Sequence, residues 1–152
     1  MSDLSITAPS IEGKDLLQQA IRIPEDLPPG PCILLFAFSP AHQSEAMTWV
    51  PALTDLAVSR KVAVRQIIVL PAFAKVGERI VLDQLVKIVP SEAHDATVLV
   101  FSDQGALARS IGAGDTNHIT LALVDASRHI VWTASGPHTS ETETALRAQV
   151  AA

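Results

Sequence analysis

The stretch Cys32-Ile33-Leu34-Leu35-Phe36-Ala37-Phe38 is apolar at every position and is entered through Gly30-Pro31. A strand with one wet face alternates apolar and polar residues, whereas a short run without alternation reads as a strand covered on both faces. The run is far shorter than the roughly 20 residues a membrane span needs. It therefore commits the chain to a sheet with a layer on either side, the arrangement that parallel strands require. A chain of 152 residues can supply those layers, because folding at this length buries about 70% of the unfolded surface.

The residues that follow support the same architecture. Ser39-Pro40 has the form of a helix cap followed by proline in the first turn. Ala46, Trp49, Val50, Leu53, Leu56 and Ala57 fall on one stripe, so residues 41–59 are predicted as an amphipathic helix, kinked at Pro51. Val62–Leu70 reads as a second buried strand stopped by Pro71, and Phe73, Val76, Ile80, Leu85 and Ile88 as the apolar face of the next helix. Thr97–Phe101 is a third strand, and Asp103–Ile111 a short helix closed by Gly112 or Gly114. Ile119–Val124 and His129–Thr133 flank the turn Asp125-Ala126-Ser127-Arg128, and Thr142–Val150 closes the chain as a helix capped by Ser140 or Thr139. Ahead of all this, Leu16, Leu17, Ala20 and Ile21 suggest a short helix over 14–23, ended by Pro24 and a Pro-rich lead-in through Pro31. The expected fold is α/β: one domain over 1–152, with 1–31 as an N-terminal extension. Its mainly parallel central sheet carries a C-terminal antiparallel hairpin and has helices on both faces.

Composition removes several function classes. Hydrophobic residues make up 48% and charged residues 18%, which excludes a disordered tail. A net charge of −5 argues against sequence-independent nucleic-acid binding. A single cysteine excludes an intramolecular disulfide framework and a Cys-built zinc site. The start, MSDLSITAPSIEGKD, has acids and no apolar centre, so no secretory signal is expected. The expected setting is cytoplasmic, with no membrane contact, no cofactor and no metal.

Three stretches resemble a known family. Leu34-Leu35-Phe36-Ala37-Phe38-Ser39-Pro40 runs from a strand into the turn where thioredoxin-like proteins keep their active site. Phe101 to Gly112 is similar to the "SDPDGxLARxYG" segment, and Thr120 to Trp132 to the "TTFLIDxxGxIxW" hairpin after the family's cis-proline. Together they resemble the redoxin or peroxiredoxin (AhpC/TSA-like) branch of the thioredoxin-like fold. The spacing Met47-x-Trp49 with Pro51, and the hairpin ending in Trp132-Thr-Ala-Ser-Gly136, is similar to the mitochondrial ATP synthase assembly factors, thioredoxin-like proteins that lack the cysteine pair.

The departures concern chemistry. The active-site turn reads Ser39, Pro40, Ala41, His42, Gln43, Ser44, Glu45, Ala46, Met47. Aligned on a CxxC pair, Pro40 and Gln43 replace the cysteines. Aligned on Pro-x-x-x-Ser/Thr-x-x-Cys, Met47 takes the peroxidatic position, and a thioether forms no thiolate. The cis-proline position falls on Ile119, between His118 and Thr120, where a trans bond is expected because a non-proline cis bond costs roughly 2.5–4 kcal/mol.

The resemblance thus implies a redox-inactive relative with no assigned catalytic residue. It would bind a protein, in an assembly or chaperone-type role, through the face around 39–47 and 117–120, with a homodimer as one form. The rival reading is a thiol peroxidase or oxidoreductase working through Cys32, which requires that thiol to be exposed. A third reading places a small molecule against His42 and His118, the only two of the five histidines that the fold would bring near each other. Two such ligands make a weak metal site. His42 otherwise reads as a surface or capping residue, Trp49 and Trp132 as core or as partner anchors, Met47 as core filler, and Arg60, Lys61 and Arg65 as counter-charges at a helix end.

Overall fold

The computed structural model describes residues 6–113 and 115–151. Much of the sequence reading concerning the first five residues, and the alternative cap at Gly114, therefore lies outside the described residues.

The apolar run becomes β4 (Cys32–Ala37), buried at all six positions. It pairs in parallel with β5 (Ala63–Leu70), which pairs in parallel with β6 (Thr97–Phe101). On the other side β4 meets β7 (Thr120–Val124) antiparallel, and β7 forms the predicted hairpin with β8 (His129–Ser135). One eight-stranded sheet results, in the order β1-β8-β7-β4-β5-β6-β2-β3. The parallel pairings are confined to its centre. The edges are short strands, β1 (Ile6–Thr7) and β3 (Ala20–Ile23), as suits strands with unpaired backbone groups.

Side chains of alternate parity feed opposite layers. Ile33, Leu35 and Ala37 pack with Ala46, Trp49, Leu53 and Leu56 of α1 (Gln43–Ser59) and with Leu146 of α4 (Ser140–Ala151). Ile68 and Leu70 on the same face meet Leu82 and Leu85 of α2 (Glu78–Ile88). Leu34, Phe36, Ile67 and Val69 point the other way, against Leu107 and Ala108 of α3 (Gln104–Ser110) and the N-terminal residues Ile11, Ile23 and Leu27. α1 runs unbroken through Pro51. Gly112 closes α3 with a φ of +85°, and Thr139 caps α4, its hydroxyl accepting from the Thr142 amide at 3.1 Å.

Two expectations fail. Residues 14–23 form no helix: β2 (Ile11–Asp15) and β3 make an antiparallel hairpin that extends the sheet beyond β6. The reversal is built by Asp15, whose Oδ1 accepts from the amides of Leu17 and Gln19 at 2.9 Å each, and by Gln18 at a φ of +66°. Gly13 lets β2 approach β6, since a Cβ there would lie 2.4 Å from the Leu99 carbonyl oxygen. In the second failure, the residues expected to anchor α2 mostly face solvent. Phe73 and Val76 sit in a preceding 3-10 segment, and Ile80 and Ile88 are exposed, while Leu82 and Leu85 make the buried face.

Candidate functional site

The turn between β4 and α1 is a 3-10 turn, Pro40–His42, leading into the helix. Ser39 starts it, its carbonyl accepting from the His42 amide at 3.0 Å and its Oγ from the Ala41 amide at 3.2 Å. The helix cap expected of Ser39 is thus moved one turn upstream. His42 is turned inward, so of the surface and capping roles expected for it the structure has the capping one, and Nδ1 accepts the Phe38 amide at 3.1 Å. Its imidazole meets the Phe38 ring edge-on, with centroids 6.5 Å apart. Gln104 of α3 donates to the Phe38 carbonyl and, at 2.8 Å, to that of Val69. The ends of two central strands are therefore satisfied by two side chains, and His42 is a structural cap of β4.

Glu45, in the first turn of α1, reaches the loop before β7. Its Oε1 accepts from the Ile119 amide at 3.0 Å and its Oε2 pairs with His118 Nδ1 at 2.8 Å. These groups lie 73 and 74 positions apart in sequence, and the carboxylate joins the two halves of the expected face. Partial burial pushes the Glu45 carboxyl up, but the hydrogen bonds from His118 and the Ile119 amide, with the charges of His118 and His42, hold it below the ordinary carboxylate value. The hydrogen bond that His118 donates to Glu45, then the charges of Glu45 and Asp115, hold His118 above the ordinary imidazole value against a small desolvation effect.

The His118–Ile119 peptide is trans, Ile23–Pro24 being the one cis bond among the described residues. Ile119 is fully buried, and Thr120 Oγ1 lies 3.1 Å from Ser135 Oγ inside the hairpin. Ala41 and Ser44 are exposed, and Gln43 Oε1 accepts from Gln66 at 3.0 Å. Met47, expected in the core, is 57% exposed. Trp49 is a core residue. It is 1% exposed, donates through Nε1 to the Gly136 carbonyl at 3.1 Å, and stacks edge-on with His138 at 5.1 Å.

Cys32 is remote from this face in environment and position. It starts β4, at the end away from the first turn of α1, fully buried between β5 and β7. Burial pushes its thiol up to about 11, with the charges of Arg65 and Arg128 opposing only in part. The exposure that a Cys32-based redox reading requires is absent. His42 and His118 do not converge on a ligand either, since each Nδ1 is committed to a different protein group. Among the described residues, no three His, Cys, Asp or Glu are grouped to hold a metal ion. No described helix is long and apolar enough to cross a membrane.

Sequence reasoning missed Glu45 and Gln104 as organisers of the site. An acid in the first turn of a helix is common because it complements the helix dipole, so nothing local marked Glu45 as a bridge.

No protein-family description and no curated protein sequence matches the chain. Solved structures do. The exposed lipoprotein thioredoxin of Streptococcus pneumoniae is 16% identical with a TM-score of 0.59, over 94% of this chain and 98% of that one. BsSco, of the Sco family of cytochrome c oxidase assembly proteins, is 12% identical with a TM-score of 0.65, over 99% and 95%. The thioredoxin domain of a thiol-disulfide oxidoreductase from Bacteroides vulgatus is 17% identical with a TM-score of 0.60, over 99% of both. The fold is thioredoxin-like.

Proposed function

We propose that this chain is a thioredoxin-fold module that works without thiol chemistry and holds a protein partner on the face formed by residues 39–47 and 117–120. One observation carries the reading: the only thiol of the chain is sealed in the sheet with its pKa raised to about 11, while the turn that thiol enzymes of this fold use is joined by Glu45 to the loop facing it. A nucleophilic cysteine needs the opposite environment, exposed and electropositive. The joined face presents Ala41, Ser44, Asn117 and His118 to solvent. It is fixed at both ends by the sheet, and such preorganisation limits the entropy lost on docking. The likeness to a protein of an assembly-factor family favours an assembly role over turnover. A cytoplasmic setting belongs to the same proposal and is tested by cell fractionation.

The test is site-specific photocross-linking in the producing cell, with the reactive residue placed at Ala41, at Asn117, or at Ala126 on the far β7–β8 turn. Discrete adducts from the first two positions alone support the reading, and a second copy of the chain is one partner they would reveal. Identical adducts from all three positions, or none, refute it. Insulin reduction that is lost on Cys32→Ser refutes its chemical half.

A further inference from the structure

Asp15 is the one carboxylate that folding buries among the described residues, at 1% exposed. An ionised side chain in that position needs partners for both oxygens. Oδ1 has them in the amides of Leu17 and Gln19, at 2.9 Å each. Among the described residues no hydrogen bond or ion pair engages Oδ2. No buried side-chain oxygen or nitrogen there is sealed off without a partner, so Oδ2 opens into space. That space is a cavity of about 210 Å³ where the β2–β3 hairpin meets the N-terminal ends of β5 and β6.

Strand register decides what shares the cavity. Asp15 stands across from Val98 of β6, and Val98 across from Ile67 of β5, so all three project to the face that holds Ile23 and Leu27. Arg65, two positions before Ile67, projects to the same face. It is half-buried and donates to the Val64 carbonyl at 2.9 Å, but no ion pair joins it to Asp15. A guanidinium and a buried carboxylate thus line one cavity without meeting. Asp26 and Asp95 stand exposed at its mouth, also without ion pairs, and Ile21, Ile23 and Leu27 form an apolar wall.

The lining therefore carries three carboxylates against one guanidinium. The neighbouring cations are turned elsewhere. Lys14 and Arg22 line a groove on the opposite face of the hairpin, and Arg128 is spent on the carbonyls of Leu27, Pro28 and Gly30. The acids are dispersed, for among the described residues no three are grouped to hold a metal ion. Negative charge spread along a wall with apolar stretches suits an organic cation, while Arg65 offers an anion its place in the same cavity. The volume lies below the roughly 300 Å³ at which drug-sized sites begin, which limits the occupant to about one amino acid.

We propose that this cavity binds a free dibasic α-amino acid such as lysine. Its carboxylate lies on Arg65, its α-ammonium on Asp15 Oδ2, its methylenes along Ile21, Ile23 and Leu27, and its terminal cation between Asp26 and Asp95. Every charged lining group then has a partner of opposite sign. An amine without a carboxylate leaves Arg65 unmatched, and a neutral amino acid leaves the mouth unmatched.

The experiment is an amide-detected NMR titration of the full chain with lysine and three truncations of it. Saturable shifts are expected at Leu17 and Gln19, whose amides bind the Asp15 carboxylate, and at Asp95 and Val98. Lacking the α-ammonium, 6-aminohexanoate should bind at least about tenfold more weakly, as should cadaverine, which lacks the carboxylate, because each leaves an inner charge unpaired. Norleucine loses only the exposed pairing and should bind about twofold to fivefold more weakly. Asp15→Asn keeps an oxygen for the two amides and should weaken lysine at least about tenfold. Arg65→Gln repeats the test should that variant unfold, weakening lysine but not cadaverine. The absence of saturable shifts, cadaverine binding as tightly as lysine, unchanged lysine affinity in either variant, or the same shifts with calcium chloride would each overturn the proposal. Ala41 and Asn117 do not line the cavity, so the cross-linking and the titration can fail separately.

Discussion

Cys32 offers the sharpest check on the chemical reading. A free thiol with a pKa near 8.5 is about 3% thiolate at pH 7; a thiol at about 11 is thiolate about one part in 10,000, so protonation alone slows a thiolate-specific reagent roughly 300-fold. Access slows it further. Cys32 is paired on both sides, to Ala63 and to Val124, so a reagent reaches it only when the central sheet opens. At stabilities of about 5–15 kcal/mol that open fraction is at most about two in 10,000. Treatment of native protein with N-ethylmaleimide or dilute peroxide, read by mass spectrometry, should therefore be at least about 1,000-fold slower than in denatured protein. Its rate should rise with urea along the global unfolding curve. The same burial has a pH signature. The folded pKa is raised from 9.0 to about 11, so the contribution is fully present below pH 9 and is lost as pH rises through 11. Two units correspond to about 3 kcal/mol. The chain has no tyrosine to titrate in that window, and subtracting the Cys32→Ala curve removes the lysines. A native reaction half-time within tenfold of the denatured one, or an alkaline loss unchanged by Cys32→Ala, would refute the assignment of Cys32 as a buried core thiol.

Four further outcomes are expected. Trp49→Phe removes a buried hydrogen bond to Gly136 and part of a ring, and should cost about 2–3 kcal/mol in urea unfolding, while Trp132→Phe on a half-buried ring should cost under about 1 kcal/mol. Gly13→Ala places a Cβ 2.4 Å from the Leu99 carbonyl oxygen and should cost about 2–3 kcal/mol by parting β2 from β6. Because Glu45 is held below its ordinary 4.5 and His118 above its ordinary 6.5, their link is complete between those values. It weakens as pH falls through the Glu45 pKa or rises through that of His118, and Glu45→Gln should move the His118 NMR titration midpoint down towards 6.5. Met47→Cys, read by alkylation rate against pH, should titrate at or above about 8.5 and gain no peroxidase activity.

The parallel centre of the sheet was legible because β4, β6 and the second half of β5, Ile67–Leu70, are short apolar runs followed by Ser or Pro. The hairpin β7–β8 was legible through its Asp125–Arg128 turn. The N-terminal hairpin was not, because Leu16, Leu17, Ala20 and Ile21 imitate helical spacing. The reversal depends on the Asp15 carboxylate and a left-handed Gln18, and neither advertises a turn as Asn-Gly would. α2 was found as an element, but of its expected face only Leu85 turns inward, while Ile80 and Ile88 are exposed. Its apolar residues occupy two stripes, and only packing against Ile68 and Leu70 selects Leu82 and Leu85. The site was half legible. Its two segments could be named from local motifs, but the carboxylate that joins them spans more than 70 positions, a distance no local pattern encodes.

The way the segments are joined explains why the face lacks thiol chemistry more fully than the missing cysteines do. A helix N-terminus lowers a thiol pKa by offering the thiolate a partial positive charge, an effect confined to the first turn. Here that turn already contains a carboxylate, Glu45, which is itself stabilised there and raises the cost of any second negative charge nearby. Met47 lies at the fifth position of the helix, beyond the reach of that field, beside an apolar groove where desolvation raises a thiol pKa rather than lowering it. The one imidazole on the turn, His42, has its Nδ1 occupied by the Phe38 amide. A cysteine placed on the turn would find no activating neighbour. The same residues give the face its stiffness. Glu45 holds the loop before β7 against α1, and His42 and Gln104 hold the end of β4, so the backbone of this surface is fixed from both sides.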